Sequence, residues 1–278
     1  MAIRLIINAD DFGFSRGITD GILWCHREGV LTSTTWMATM PDRDRAVELA
    51  RQTPTLGVGV HLCLTQGTPL TKCRRILNRD GTFPRGLPRL FWRLRSHDAQ
   101  REAQDEMVAQ IEYGRLRGLK PTHVDSHKHV HHLRALHEAV ITAAGVCGVK
   151  WIRTACETRI AGTPAMGWAY GRLAKLAEEL KGKIRERGLK TNDWFFGLAT
   201  TGRTDSATWL KIAAGVPDLR LGEVMVHPGD AGDVTRADTR LLAQRKVEMQ
   251  ALRDPLVREA LEGRDIELAR YDQAASGP

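Results

Sequence analysis

The sequence predicts a single-domain α/β protein, a (β/α) barrel of the TIM-barrel kind, and three observations lead there. Apolar runs of five to eight residues alternate with longer segments of helical spacing, the pattern of parallel strands covered by helices. Eight such runs occur, which favours a barrel over an open sheet. The chain has 278 residues, close to the roughly 250 typical of that architecture, and no linker divides it.

The elements follow in order. A strand at 3–8 leads to a helix at 16–28, with Ser15 standing where an N-cap belongs. A strand at 31–38 precedes a helix at 42–52, and one at 57–62 precedes a helix at 99–117. Strands at 122–126, 150–154 and 193–198 are followed by helices at 133–145, 168–187 and 205–214. The strand at 222–227 is followed by helices at 238–251 and 255–262, which share one connection, and a last strand spans 265–270. Insertions near 64–98 and 156–190 break the rhythm. Long loops after strands are where barrels build binding surfaces.

Composition narrows the class. An apolar fraction of 42% is that of an ordinary globular protein. No run of 18 apolar residues is present, so no membrane span is expected. The N-terminus lacks a basic region before a long apolar stretch and reads as a cytoplasmic start. Cys25, Cys63, Cys73, Cys147 and Cys156 are odd in number and form no C-x-x-C pair. That argues for a reducing compartment and for cysteines serving as small core residues. The net charge of +8 raises the question of nucleic acid. The densest basic cluster, Arg85, Arg89, Arg93, Arg95 and Arg101 with Phe91 and Trp92 between, reads as a solvated or anion-attracting surface. No nucleic-acid partner is expected, because no helix-turn-helix, zinc-finger or RNP pattern accompanies it.

The polar residues of interest gather at the C-terminal ends of the candidate strands, the face on which barrels place active sites. "NADDFGFS" ends the first strand in two adjacent carboxylates, Asp10 and Asp11. Such neighbours repel, and burial makes each costlier, so a cation is the expected compensation. On a regular strand the two point to opposite faces. A turn at Gly13 would let one reach a metal and the other lie beside it. "GVGVHL" ends in His61, and "THVDSHKHVHH" carries His123, Asp125, His127, His129, His131 and His132. Extended backbone would set His123, Asp125, His127 and His129 on one face. His132 and His137 read as surface or helix-face residues. His61 and His127 with one carboxylate form an N, N, O set that leaves positions open for water and substrate, as a catalytic metal requires. "WIRT", "NDWFFG" and "MVHPGD" add Arg153, Trp194 and His227. The D-F-G string is not a kinase signature, since neither a Gly-rich loop before V-A-I-K nor H-R-D-x-x-x-x-N is present.

Together "NADDFGFS", "LTSTT", "GVGVHL", "PTHVDSHKHVH" and "VMVHPGD" resemble the YdjC-like carbohydrate deacetylases, the group that includes the chitooligosaccharide deacetylases. The resemblance runs from residue 3 to about 233. It implies one divalent metal, zinc or magnesium, held by Asp11, His61 and His127. It further implies Asp10 as general base, His227 as general acid in its imidazolium form, an N-acetylated sugar as substrate, release of acetate, and a homodimer. Around that centre, Asp125 is expected to orient a ligand histidine and Arg153 to pair with Asp10. His129 and His131 are expected to line the cleft, and Trp194, or a neighbouring aromatic, to stack on a sugar ring. Two other readings share the residues: a 2-His-1-carboxylate Fe(II) enzyme and a non-catalytic carbohydrate- or nucleic-acid-binding module.

Overall fold

A computed structural model describes residues 3–164, 167–217 and 221–274. The first strand, β1 (Ile3–Phe12), is buried from Leu5 to Phe12. Parallel strands covered on both faces read as continuous apolar runs for that reason. α1 (Arg16–Glu28) follows, its first turn capped by Ser15, whose Oγ accepts from the Ile18 amide. Next come β2 (Ser33–Trp36), α2 (Arg43–Arg51) and β3 (Gly57–Leu62). The 64–98 insertion contains a short helix that the apolar pattern did not predict, α3 (Leu87–Arg93), before the long α4 (His97–Leu116).

β4 (Val124–Ser126) is short because the chain leaves the strand at His127 for a 3₁₀ segment, His127–His132. Lys128 and His129 there have positive φ. The extended face expected for His123, Asp125, His127 and His129 therefore does not form. His123 instead stacks on Tyr271, ring centroids 3.9 Å apart. A second short 3₁₀ turn, Arg134–Leu136, leads into α5 (His137–Val146). The chain continues through α6 (Trp168–Glu186), β5 (Trp194–Phe196), α7 (Ser206–Gly215) and β6 (Leu221–Val226). It ends in α8 (Ala243–Ala251), α9 (Pro255–Glu262) and β7 (Ile266–Leu268).

All the pairings are parallel, in the order β4-β3-β2-β1-β6-β5, with β7 beside the start of β1. The result is one α/β domain whose sheet forms a half-barrel, in keeping with a (β/α)-barrel-like fold. The strand expected at 150–154 appears as single parallel bridges, Val124 to Ile152 and Trp151 to Lys190, and not as a regular strand. The five cysteines are buried and unpaired. No described helix is long and apolar enough to cross a membrane.

At the β5–β6 pairing, Trp194 stands opposite Gly222. A Cβ on Gly222 would lie 1.8 Å from the Trp194 ring, so the indole lies over a position only glycine can occupy. Gly222→Ala is expected to destabilise the fold by about 1–3 kcal/mol or more through overpacking. The check is a lowered Tm with Trp194→Leu in the same chain recovering part of the loss.

Candidate metal centre and active site

The site begins with a backbone irregularity. The β1–β2 register shifts between Ala9 and Phe12, and Asp11 adopts φ 74°. Asp is among the few residues that enter the left-handed region at modest cost, and such strain concentrates at functional sites. The irregularity turns both carboxylates of the Asp10–Asp11 pair toward one centre. The turn expected at Gly13 also exists, with φ 88°, but it follows the decisive residue.

Asp11 Oδ1 lies 3.7 Å from His61 Nε2 and 3.3 Å from His127 Nδ1. The two imidazoles meet edge to face. Asp11 Oδ1 is buried and has no hydrogen-bond partner. The other oxygen, Oδ2, accepts from Arg245 Nη2 at 2.5 Å. One carboxylate oxygen and two imidazole nitrogens thus converge, all within 4.8 Å of one another. An orphaned buried anion facing two nitrogen donors is chemically suited to a divalent cation, so the residues fit the implied metal.

His61 is oriented from behind. Its Nδ1 donates to Asp125 Oδ1 at 2.7 Å, which leaves Nε2 toward Asp11. Carboxylate–histidine pairs of this kind set the tautomer of a ligand. Asp125 therefore orients His61 rather than its strand neighbour His127. Although burial opposes charge on His61, Asp125, Asp10 and Asp11 outweigh it and raise the imidazole to about 9.

Asp10 is gripped by Arg153, with Nη1 donating to Oδ2 at 2.9 Å and Nη2 to Oδ1 at 2.7 Å. Asn8 Nδ2 adds a bond to Oδ1 at 3.0 Å. Burial favours the neutral acid, but Arg153 prevails and holds Asp10 well below the usual carboxylate range. Asp11 is held low in the same sense, burial being outweighed by Arg245 and His127. Arg153 is wholly buried and also pairs with Asp125 and Glu223. Glu223, raised by burial to about 7, receives the Tyr271 hydroxyl. Four buried carboxylates, those of Asp10, Asp11, Asp125 and Glu223, thus surround two guanidiniums, Arg153 and Arg245.

His227 follows β6, and its amide donates to Glu248 Oε2 at 2.6 Å. Its Nδ1 is buried without a partner. Burial lowers this imidazole to about 4 despite Asp10 and Asp11. The expected imidazolium at neutral pH is therefore corrected to a neutral ring.

Three further expectations change. Trp194 lies in the core over Gly222, as do Phe195 and Phe196 in theirs, and offers no face to a sugar. His131 is wholly buried, its Nδ1 bonded to Ser126 Oγ and its Nε2 to the Arg153 carbonyl, so it props Arg153 and does not line a cleft. His132 and His137 are buried, not superficial. His129 packs edge-on against Phe195 with its Nδ1 unpartnered. Arg245, Glu223 and Glu248 were not singled out from the sequence. The one available signal was a lone acid, Glu223, inside the apolar strand LGEVMV.

A family model described as YdjC-like protein matches residues 4–263. The chain is 30% identical to a carbohydrate deacetylase of Brevibacillus brevis, covering 98% of this chain and 99% of the relative. It is 32% identical to a carbohydrate deacetylase of Geobacillus stearothermophilus, covering 96% of each. A crystal structure from Enterococcus faecalis V583, described as a proposed cellobiose-phosphate cleavage protein, superposes with a TM-score of 0.81 at 26% identity. It covers 98% of this chain and 99% of that one. The chain belongs to the YdjC-like family.

Two outcomes are expected from this geometry. Arg153→Met leaves three carboxylates buried without their counter-charge and should cost about 3–5 kcal/mol, read by urea denaturation. A metal ligating His61 must displace the proton that ring holds below about 9. Apparent zinc affinity should thus rise roughly tenfold per pH unit from pH 6 to 8, and a pH-independent affinity in a chelator competition would contradict it.

Proposed function

We propose that the chain is a metal-dependent carbohydrate deacetylase that hydrolyses the N-acetyl group of an amino sugar and releases acetate. The observation that carries this reading is the buried, unpartnered Asp11 Oδ1 facing His61 and His127, with Asp10 and His227 close by. The relatives' shared name supports the same reading.

Asp11, His61 and His127 are assigned as ligands to a zinc or magnesium ion. When bound, such a cation supplies Lewis acidity, which acidifies water and stabilises charge developing on the acetyl oxygen. Asp10 is assigned the role of proton acceptor as water attacks. The Arg153 fork keeps it ionised and fixes its direction. His227 is assigned the role of proton donor to the departing nitrogen, which leaves poorly unless protonated. Because burial keeps this ring neutral near pH 7, the proton it gives is one collected during the reaction. Asp125 positions His61, and Arg153 positions Asp10.

The segments 64–98 and 156–190 are assigned the choice among chitin fragments of the chitooligosaccharide type, glycolipid head groups and cell-envelope precursors. Acetate release from diacetylchitobiose and a panel of N-acetylated sugars tests the reading. Chelation should abolish release, and zinc or magnesium should restore it. Asp10→Asn and His227→Ala should each lower kcat by about 10²–10⁴ with the circular dichroism spectrum retained. Undiminished acetate from the chelated protein or from the Asp10 variant would refute the mechanism.

A further inference from the structure

The segment that leaves β3 just after His61 carries a surface the site does not use. α3 is anchored inward by Leu90 and, just past its end, by Leu94. It turns outward Leu87, Phe91 and Trp92, which are 37%, 56% and 66% exposed. Leu87 and Phe91 are four residues apart and share a helix face, and Trp92 adjoins them. Arginines frame this apolar patch: Arg85, Arg89 and Arg95 are exposed and Arg93 is half-buried. Arg95 lies over the Trp92 ring, 4.4 Å from its centroid. Among the described residues, no carboxylate lies within ion-pair distance of Arg89 or Arg95.

The patch belongs to the same end of the sheet as the site. Arg85 Nη1 donates to the Ala237 carbonyl and Gln66 Nε2 to the Asp238 carbonyl, both at 2.8 Å, tying this segment to the loop that follows His227. Lys128, next to His127, lies within electrostatic reach of Arg85 and Arg240.

We propose that α3 docks the enzyme on an anionic lipid surface. Large apolar side chains ringed by arginines match the bilayer interface, where aromatic bodies enter the headgroup layer and guanidiniums remain with the lipid phosphates. Charge complementarity selects this occupant. A second copy placed face to face would oppose arginine with arginine. A nucleic acid would use the charge but leave Leu87 and Phe91 unmatched, and Arg95 already covers one face of the Trp92 ring. Resting on the deacetylase reading, the substrate class such docking favours is the acetylated amino-sugar head group of a glycolipid.

The experiment is co-sedimentation of the full chain with vesicles of phosphatidylglycerol and phosphatidylcholine, against phosphatidylcholine alone. The chain should sediment with the anionic vesicles only. The double variants Phe91→Ser/Trp92→Ser and Arg89→Glu/Arg95→Glu should each weaken partitioning by at least about tenfold, with Tm and the far-UV circular dichroism spectrum unchanged. Wild-type protein that ignores anionic vesicles, binds neutral ones equally, or binds a single-stranded oligonucleotide instead would overturn the proposal. So would variants that sediment like wild type, or that only convert a dimer to monomers on a sizing column. Vesicle binding without acetate from any sugar would refute the deacetylase reading and leave the docking face standing.

Discussion

The Arg153 guanidinium joins carboxylates from three strands: Asp10 on β1, Asp125 on β4 and Glu223 on β6. None of the four groups is appreciably exposed. Removing so many charges from water is costly, and the attraction compensates only where hydrogen bonds satisfy nearly every polar atom. Here Asn8, Thr35, His61 and Tyr271 complete the set. The wall of the half-barrel is therefore closed electrostatically at its centre. The side chain that compensates the acids also fixes the direction of Asp10 and, through Asp125, of His61. Stability and site geometry share one residue.

Arg245 does for Asp11 what Arg153 does for Asp10, but on one oxygen only. The second oxygen is left to the two histidines. The difference divides the two adjacent acids. Asp10 has its oxygens largely occupied by fixed donors, whereas Asp11 keeps one open. Identical side chains next to each other in sequence are thus made unlike by the number of guanidinium nitrogens each receives, and the left-handed turn at Asp11 makes the division possible.

Much of this was legible in the sequence because strand ends carry motifs. Asp10, Asp11, His61 and His227 each follow an apolar run, His127 sits in a histidine-rich stretch, and the fold brings all five to one end of the sheet. The parallel α/β architecture was likewise visible in the alternation of runs and helices. What escaped has physical causes. Arg245 and Glu248 sit on α8 with spacing that reads as a solvated helix face, and only the tertiary fold turns them inward. His129 was placed on one face with His123, Asp125 and His127 because extended backbone was assumed, and the positive φ values at Lys128 and His129 break that periodicity. Trp194 could not be distinguished from a sugar platform, since the strand pattern does not reveal that Gly222 lies beneath it.

The position of β1 bears on how the chain acquires its structure as it is synthesised. β1 is the central strand, and of its neighbours in the sheet only β2 lies close to it in sequence. β6 begins at Leu221 and β7 at Ile266. The counter-charges Arg153 and Arg245 lie 143 and 234 residues beyond the acids they pair with, and Tyr271 lies 48 beyond Glu223. Until those arginines are made, Asp10 and Asp11 stand at the end of a strand paired on one side only, without their guanidiniums. Contacts so distant in sequence slow folding and prolong the exposure of strand edges. The two acids at the end of β1 therefore lack the guanidiniums that accompany their burial until α8 has been made, and the centre can close only after that.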